Sequence, residues 1–121
     1  PRIVACQTAQ VSPLYHGFKN LGYNPPEKIT SVADALVSND PPLLELMQKS
    51  LRDINGDAVM VEEKEILDAY KELARKGFFV EQSSAVAYAG YKKQVKSKDV
   101  STSADAILIL TGSGLKTNLK P

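Results

Sequence analysis

The hydrophobic positions of this 121-residue chain follow two patterns. In the first, apolar residues form short continuous runs without alternation, which is typical of strands covered on both faces. These runs predict strands at Ile3 to Cys6, Ala58 to Val61, Ala106 to Leu110 and, shorter, Phe78 to Val80. In the second pattern, apolar residues recur every three or four positions between the runs, which predicts helices.

The helical pattern has recognisable beginnings and ends. Asn55-Gly56 supplies a left-handed stop for one helix, and Gly77 follows the basic last turn of another. A further helix has small residues on its buried side, so it can lie close to a sheet or a ligand. The predicted helices are Pro13 to Lys19, a short stretch from Thr30 to Val37, Leu43 to Ile54, Glu62 to Lys76, and one capped by Ser83 or Ser84.

The order of these elements predicts the fold class. Strands that alternate with helices favour right-handed crossovers and a parallel sheet, so we expect an α/β protein with a parallel sheet and covering helices. No repeat, low-complexity tract or linker interrupts the pattern, and residues 1–121 are predicted to form a single α/β segment. The chain starts at Pro1 and enters a strand almost at once, as a piece of a longer protein would.

Composition and net charge limit the classes of partner that this chain is expected to bind. The chain is 43% hydrophobic and 24% charged with a net charge of +1, which leaves no basic surplus for nucleic acid. No run approaches the roughly 18 apolar residues of a membrane span, so no membrane partner is expected. The single cysteine, Cys6, lies in an apolar run and is interpreted as a buried hydrophobe in a reducing, cytoplasmic setting.

The candidate chemistry lies where two predicted strands end. Thr111-Gly112-Ser113-Gly114 follows one apolar run, and Glu81 follows another. Glycine lets a backbone approach a ligand closely, and ligands bind at the carboxyl ends of strands in open α/β sheets. Thr111 and Glu81 are therefore expected to converge on a binding site. The alternatives are a surface turn at Thr111 and a solvated loop acid at Glu81.

The sequence gives less support to a metal site, a functional cluster of acids or a phosphate-binding loop. His16 is the only histidine and has no cysteine partner nearby, so we predict no metal site. The acids from Glu62 to Glu65 fall in a first helical turn, and the helix dipole explains them without a further role. Neither a GxGxxG nor a GxxxxGK[ST] phosphate motif is present.

Two segments, "GFFVEQSSAVAYAG" and "LILTGSGLK", together resemble the C-terminal part of the threonine synthases. These are pyridoxal-phosphate enzymes of the tryptophan synthase β-like fold, also called fold type II. The likeness extends to "PRIVACQTAQVSPLYHGFK" and "TSVADALVSNDPP", and so covers essentially the whole chain. Two departures stand out: Gln82 replaces a usual proline, and Thr8-Ala9-Gln10 replaces a more typical Ala-Glu-Gly.

The resemblance implies a fold and a cofactor site. The chain would be part of the large domain of a fold type II enzyme, with pyridoxal 5'-phosphate as its cofactor. The family's threonine at the Thr111 position hydrogen-bonds the pyridine nitrogen, and the next glycine shapes the loop. The cofactor-binding residues implied in this way are Gln7, Thr8, Glu81, Ser83, Thr111 and Gly112. No catalytic residue is expected within the chain, because the lysine that bonds the cofactor and the glycine-rich phosphate loop would precede it.

The implied activity is the conversion of O-phosphohomoserine and water to threonine and phosphate by a homodimeric parent enzyme. Its substrate is a small amino acid, and this chain alone would be inactive. Two alternatives stay open. One is a related lyase, such as threonine dehydratase or cysteate synthase, and the other is a truncated binding module without chemistry.

Overall fold

A computed structural model describes residues 1–117 of the chain. Within these residues each of two strands is followed by two α-helices, and there are two short 3-10 turns at Asp34–Leu36 and Gly114–Lys116. In chain order the main elements are β1 (Val4–Thr8), α1 (Pro13–Phe18), α2 (Leu44–Asp53), β2 (Asp57–Val61), α3 (Glu63–Arg75) and α4 (Gln82–Lys96). The helices predicted from periodicity and end signals therefore exist, each within a few residues of its expected bounds.

The two strands pair in parallel. Val4 lies opposite Asp57 and Thr8 lies opposite Val61, so the carboxyl ends of β1 and β2 coincide at one edge. This confirms the α/β class with a parallel sheet and covering helices. It also places Thr8 beside the turn that starts α3.

Helices cover both faces of this small sheet. On one face α4 approaches so closely that a Cβ added at Gly90 would lie 2.4 Å from Cys6 Sγ. On the other face the Tyr15 backbone N–H, in α1, donates to Gln7 Oε1 at 2.9 Å. Because successive strand residues point to opposite faces, Cys6 and Gln7 contact different helices.

The core lies between α3, α4 and the end of β2. Glu62 and Glu65 form a reciprocal capping box at the start of α3, with Glu62 N–H donating to Glu65 Oε2 at 2.8 Å. Gly77 ends the helix with φ of +89°, as its sequence position predicts. The buried apolar residues of this core are Ala33, Val61, Ile66, Ala69, Leu73, Val80, Ala85, Val86 and Ala89.

The strand predicted at Ala106 to Leu110 is wrong for the described part of the chain. The run has no regular secondary structure and pairs with no described strand, and Ile107 and Ile109 are 93% and 73% exposed. A strand exists only where its backbone groups find a neighbouring strand. The sheet described within residues 1–117 has only β1 and β2.

Two other predictions need correction. The run Phe78 to Val80 forms no regular strand, and only Val80 makes a single antiparallel bridge, with Ser113. The short helical stretch expected from Thr30 to Val37 tightens to the 3-10 turn at Asp34–Leu36. In both places the local pattern is too short to determine a regular element without tertiary partners.

Candidate functional site

The carboxyl edge of the sheet carries a cluster of polar side chains around Thr8. Thr8 is fully buried, and its hydroxyl donates to Glu63 Oε1 at 2.8 Å. Ser31 Oγ donates to the same oxygen at 2.6 Å, and the Val32 backbone N–H donates to Glu63 Oε2 at 2.8 Å. One carboxylate thus joins the end of β1, the start of α3 and the loop at Ser31.

These hydrogen bonds set the ionisation of Glu63. Burial by itself would raise the pKa of this carboxyl, but the hydrogen bonds from Ser31, from Val32 N–H and from Thr8 outweigh it and lower the pKa below its usual 4.5. Glu63 is therefore held as a carboxylate. Its interpretation as a simple first-turn acid is incomplete.

Ser83 anchors the other end of the same loop. The Ala35 backbone N–H donates to Ser83 Oγ at 3.0 Å, and Ser83 Oγ donates to Asp34 Oδ1 at 3.3 Å. Ser83 is buried in the first turn of α4, so its hydroxyl is part of the wall between α4 and the loop.

The loop at Thr111 reaches the segment that leads into α4. Thr111 N–H donates to Ser84 Oγ at 2.9 Å, and Glu81 N–H donates to the Gly112 carbonyl at 3.0 Å. The bridge between Val80 and Ser113 continues this pairing. The structure thus brings Glu81, Thr111 and Gly112 together, as expected from their positions at strand ends, although neither apolar run forms a regular strand.

The two glycines of the loop have a packing reason of their own. A Cβ at Gly112 would lie 2.0 Å from Glu81 Oε1, and a Cβ at Gly114 would lie 2.8 Å from the Phe79 ring. No real Cβ tolerates such distances, so each glycine admits a neighbouring side chain of the protein itself. Their contribution to a cofactor ring stays a prediction.

Gln7 stands apart from these contacts. Its Oε1 accepts from the Tyr15 backbone N–H, which directs the side chain to the α1 face of the sheet. Thr8, the next residue, turns to the opposite side and reaches Glu63. The structure does not join Gln7 to the network that contains Thr8 and Ser83.

The network also contains residues that were not among the site residues predicted from the sequence. Glu63, Ser31 and Asp34 link the predicted residues Thr8 and Ser83 through one loop. The signal that could have found them is the hydroxyl pair Thr30-Ser31 before a short helical stretch, since such residues bond loops to nearby carboxylates. Their partner in α3 could not be named from spacing alone.

The remaining candidates have structural environments. Burial raises the pKa of the Cys6 thiol to about 11, which disfavours the reactive thiolate. His16 Nδ1 lies 2.8 Å from the Ser12 carbonyl, and its ring contacts Tyr15 and Tyr23. Within residues 1–117, no group of three or more His, Cys, Asp or Glu side chains is arranged to hold a metal ion. No helix in that range is long and apolar enough to span a bilayer.

Two shallow depressions of about 260 and 270 Å³ lie away from this network. The first is lined mainly by charged side chains of α3 and α4, including Glu65 and Lys92, and the second by residues around Lys19 and Asp57. Neither contains Thr8, Glu81 or Thr111.

The residues around Thr111 fit the cofactor that the resemblance implies. Thr111 is exposed, while the Ser84 hydroxyl fixes its backbone N–H. A hydroxyl held on a fixed loop can donate to a ring nitrogen without carrying charge. Ser84 and Glu81 supply polar groups at this loop.

Comparison with known proteins also indicates a pyridoxal-phosphate enzyme. The sequence model of the family described as "Pyridoxal-phosphate dependent enzyme" matches residues 1–112. The threonine synthase of Halalkalibacterium halodurans is 33% identical over 91 residues, covering 74% of this chain and 26% of that protein. "Threonine synthase 2, chloroplastic" of Arabidopsis thaliana is 30% identical over 120 residues, with 96% and 23% covered. The threonine synthase of Methanocaldococcus jannaschii is 32% identical over 123 residues, with 96% and 29% covered.

The chain spans about a quarter of the length of these curated relatives. The family match, in contrast, takes in nearly all of its 121 residues. It agrees with the parallel α/β architecture and with polar side chains gathered at the carboxyl edge. The chain therefore belongs to the pyridoxal-phosphate dependent enzyme family.

Proposed function

We propose that this chain is the C-terminal part of a cytoplasmic, homodimeric threonine synthase. The reaction eliminates phosphate from O-phosphohomoserine and adds water to give threonine. The substrate class is a small phosphorylated amino acid. In this proposal the chain supplies one wall of the cofactor site and no catalytic lysine.

The observation that carries the proposal is the pairing of two sequence-distant motifs. Glu81 N–H donates to the Gly112 carbonyl at 3.0 Å, and Ser84 Oγ accepts from Thr111 N–H at 2.9 Å. These are the two motifs whose combination resembles threonine synthase. The curated relatives described above, all named threonine synthase, support the same substrate class.

Each residue has a definite part in the proposal. Pyridoxal phosphate, when bound, withdraws electrons from the substrate carbon that loses a proton. Thr111 donates a hydrogen bond to the pyridine nitrogen but cannot hold a proton on it, which moderates that withdrawal. Ser83 and Glu81 line the far edge of the ring.

Two lysines of α4, Lys92 and Lys93, are engaged in contacts with other side chains and backbone groups. Lys92 Nζ pairs with Glu72 Oε2, and Lys93 Nζ donates to the Met60 carbonyl and lies 3.3 Å from Glu65 Oε2. A lysine that bonds the cofactor must be desolvated and aimed at it. We therefore propose that this lysine, and the loop that holds the cofactor phosphate, come from elsewhere in the protein that its gene encodes.

The test is an assay of the protein as its gene encodes it. We expect release of phosphate and formation of threonine from O-phosphohomoserine, in a one-to-one ratio and dependent on added pyridoxal phosphate. Conversion of threonine to a 2-oxo acid, without use of O-phosphohomoserine, contradicts the proposal and favours the dehydratase alternative. In a separate assay, formation of cysteate from O-phosphoserine and sulfite, with release of phosphate, favours the other lyase. Tight cofactor binding without any turnover favours a non-catalytic module.

A second measurement concerns the 121-residue chain alone. Mixed with pyridoxal phosphate and reduced with borohydride, it should show only weak labelling spread over exposed lysines. Stoichiometric attachment at one specific lysine would show that the bonding residue lies in this chain after all.

A further inference from the structure

The segment from Thr30 to Leu36, which we call the edge segment, crosses the carboxyl edge of the sheet. Its middle is fixed by Ala33, which is fully buried in the core against α3 and α4 residues. Its two ends are held by polar groups from different elements. The sequence assigns this segment no function, because its local pattern indicates only a short helical stretch.

The first anchor is the carboxylate of Glu63. Both of its oxygens are used: Oε1 accepts from Ser31 Oγ at 2.6 Å and from Thr8 Oγ1 at 2.8 Å, and Oε2 accepts from Val32 N–H at 2.8 Å. Hydrogen bonds to a charged acceptor are about twice as strong as neutral ones. Three of them on one half-buried group define the position of the loop.

These hydrogen bonds differ from the contacts expected of an acidic residue whose only role is to stabilise the helix dipole. The first turn of α3 already has Glu65, whose carboxylate accepts from Glu62 N–H in the capping box. Glu63 instead directs its carboxylate away from its own helix, to the edge segment and to β1. A dipole role alone would leave it in solvent.

Two residues at the end of β1 and in the loop after it extend the same anchor. Thr8 donates to Glu63, and Gln10 makes a reciprocal pair with Thr30, from Gln10 Nε2 to Thr30 Oγ1 at 2.9 Å and from Thr30 N–H to Gln10 Oε1 at 2.5 Å. The loop after β1 is thereby joined to the edge segment by side-chain hydrogen bonds.

The second anchor is Ser83 in α4. It accepts from Ala35 N–H and donates to Asp34, so the far end of the edge segment is attached to the turn that leads to Ser84 and Thr111. A continuous path of hydrogen bonds and buried contacts thus runs from Thr8 to the Thr111 loop.

We propose that Glu63 is a positioning residue that holds the edge segment as a wall of the cofactor and substrate site. Glu63 acts through Thr8 and Ser31 and touches no reacting atom. The inference rests on the proposed function, since it takes the carboxyl edge as the cofactor site. The Glu63 carboxylate joins the end of β1 and the edge segment to α3, and Ser83 attaches the same segment to α4.

The first test is hydrogen exchange of the protein as its gene encodes it. Glu63→Gln keeps the shape but loses the charge, and Glu63→Ala removes the acceptor. Both should speed amide exchange at Val32 to Ala35 by about tenfold or more, while α3 and β2 keep their protection. Glu45→Gln, a first-turn acid of α2 that is exposed, is the matched control and should change nothing there. If Glu63→Ala fails to fold, Glu63→Gln decides alone.

The second test measures cofactor and substrate binding of the same variants. We expect the Kd of pyridoxal phosphate and the KM of the substrate to rise several-fold in Glu63→Gln, with kcat changed much less. Unchanged exchange in a folded variant overturns the proposal. Faster exchange with unaltered cofactor affinity overturns it as well, because the segment would then be no part of the site. A wild-type protein that binds the cofactor but makes no threonine contradicts the proposed function, while exchange and cofactor affinity still decide the role of Glu63.

Discussion

At the carboxyl edge of the sheet, the side chain of Glu63 has two structural roles. Glu63 starts α3, where a negative charge suits the helix dipole, and it also accepts three hydrogen bonds from β1 and the edge segment. Without it, the hydroxyls of Thr8 and Ser31 would each lose a carboxylate acceptor. Removing the carboxylate therefore affects groups on three elements at once.

The stability of the protein should depend on pH through Glu63. Since hydrogen bonds lower the folded-state pKa of Glu63 below its usual 4.5, its contribution is complete above that pH and is lost as the pH falls through the folded-state value. We expect wild type to be more stable than Glu63→Gln at neutral pH and the difference to shrink below about pH 4.5. Chemical unfolding of both proteins over a pH series measures it. A constant difference at all pH values would contradict this linkage.

Thr111 is the residue at which the cofactor's electronic properties should be tested. Thr111→Val keeps the shape but removes the hydroxyl that we propose donates to the ring nitrogen, a loss of about 1–3 kcal/mol in a dry site. Thr111→Asp should hold that nitrogen protonated and alter the cofactor absorption spectrum more than Val does. Turnover should fall in both variants. Wild-type turnover and cofactor affinity in Thr111→Val would reduce Thr111 to a loop residue without that role.

At the level of elements, the Thr111 loop and the start of α4 behave as one unit. The backbone of Gly112 and Ser113 pairs with Val80 and Glu81, and the Glu81 side chain lies over Gly112. The contact is between loops and one helix end and does not depend on a regular strand. Its geometry depends on glycine at position 112.

Gly112→Ala should separate these two elements. The new Cβ would meet Oε1, Cδ and Cγ of Glu81 at 2.0, 2.1 and 2.5 Å, so the side chain or the loop must move, at a cost of about 1–3 kcal/mol. The double variant with Glu81→Ala should recover much of the lost unfolding free energy, which a double-mutant cycle measures. Gly22→Ala, where no atom lies within 4 Å, is the matched control. Additive effects of the two substitutions would argue against this contact.

At the scale of the whole molecule, the described chain leaves large apolar side chains uncovered. Ile107, Ile109 and Leu115 are 93%, 73% and 85% exposed, and Phe78 is 56% exposed. The run from Ala106 to Leu110 also pairs with no strand in the described range. Such surfaces promote association.

The 121-residue chain in isolation should therefore self-associate and bind hydrophobic dyes. Replacing Ile107 and Ile109 with Ser should reduce both effects, because these two side chains are the most exposed of the run. Sedimentation over a wide concentration range and dye fluorescence provide the measurements. A strictly monomeric chain without dye binding would show that this surface is not associative.

The features that could be predicted from the sequence depend on residues close together in the chain, on the order of the elements, or on a pair of motifs. Periodicity, the stop at Gly77 and the order of elements were sufficient for the helices and the parallel α/β class, because caps and amphipathic faces act within a few residues. The two motifs around Glu81 and Thr111 also predicted their meeting at one edge. Tertiary structure alone decided what lies at that edge and which apolar run becomes a strand. The run from Ala106 to Leu110 has the composition of a strand but no pairing partner in the described range. Glu63 contacts Ser31 and Thr8 only because β1, α3 and the edge segment fold together. The spacing of these residues along the chain does not encode that contact.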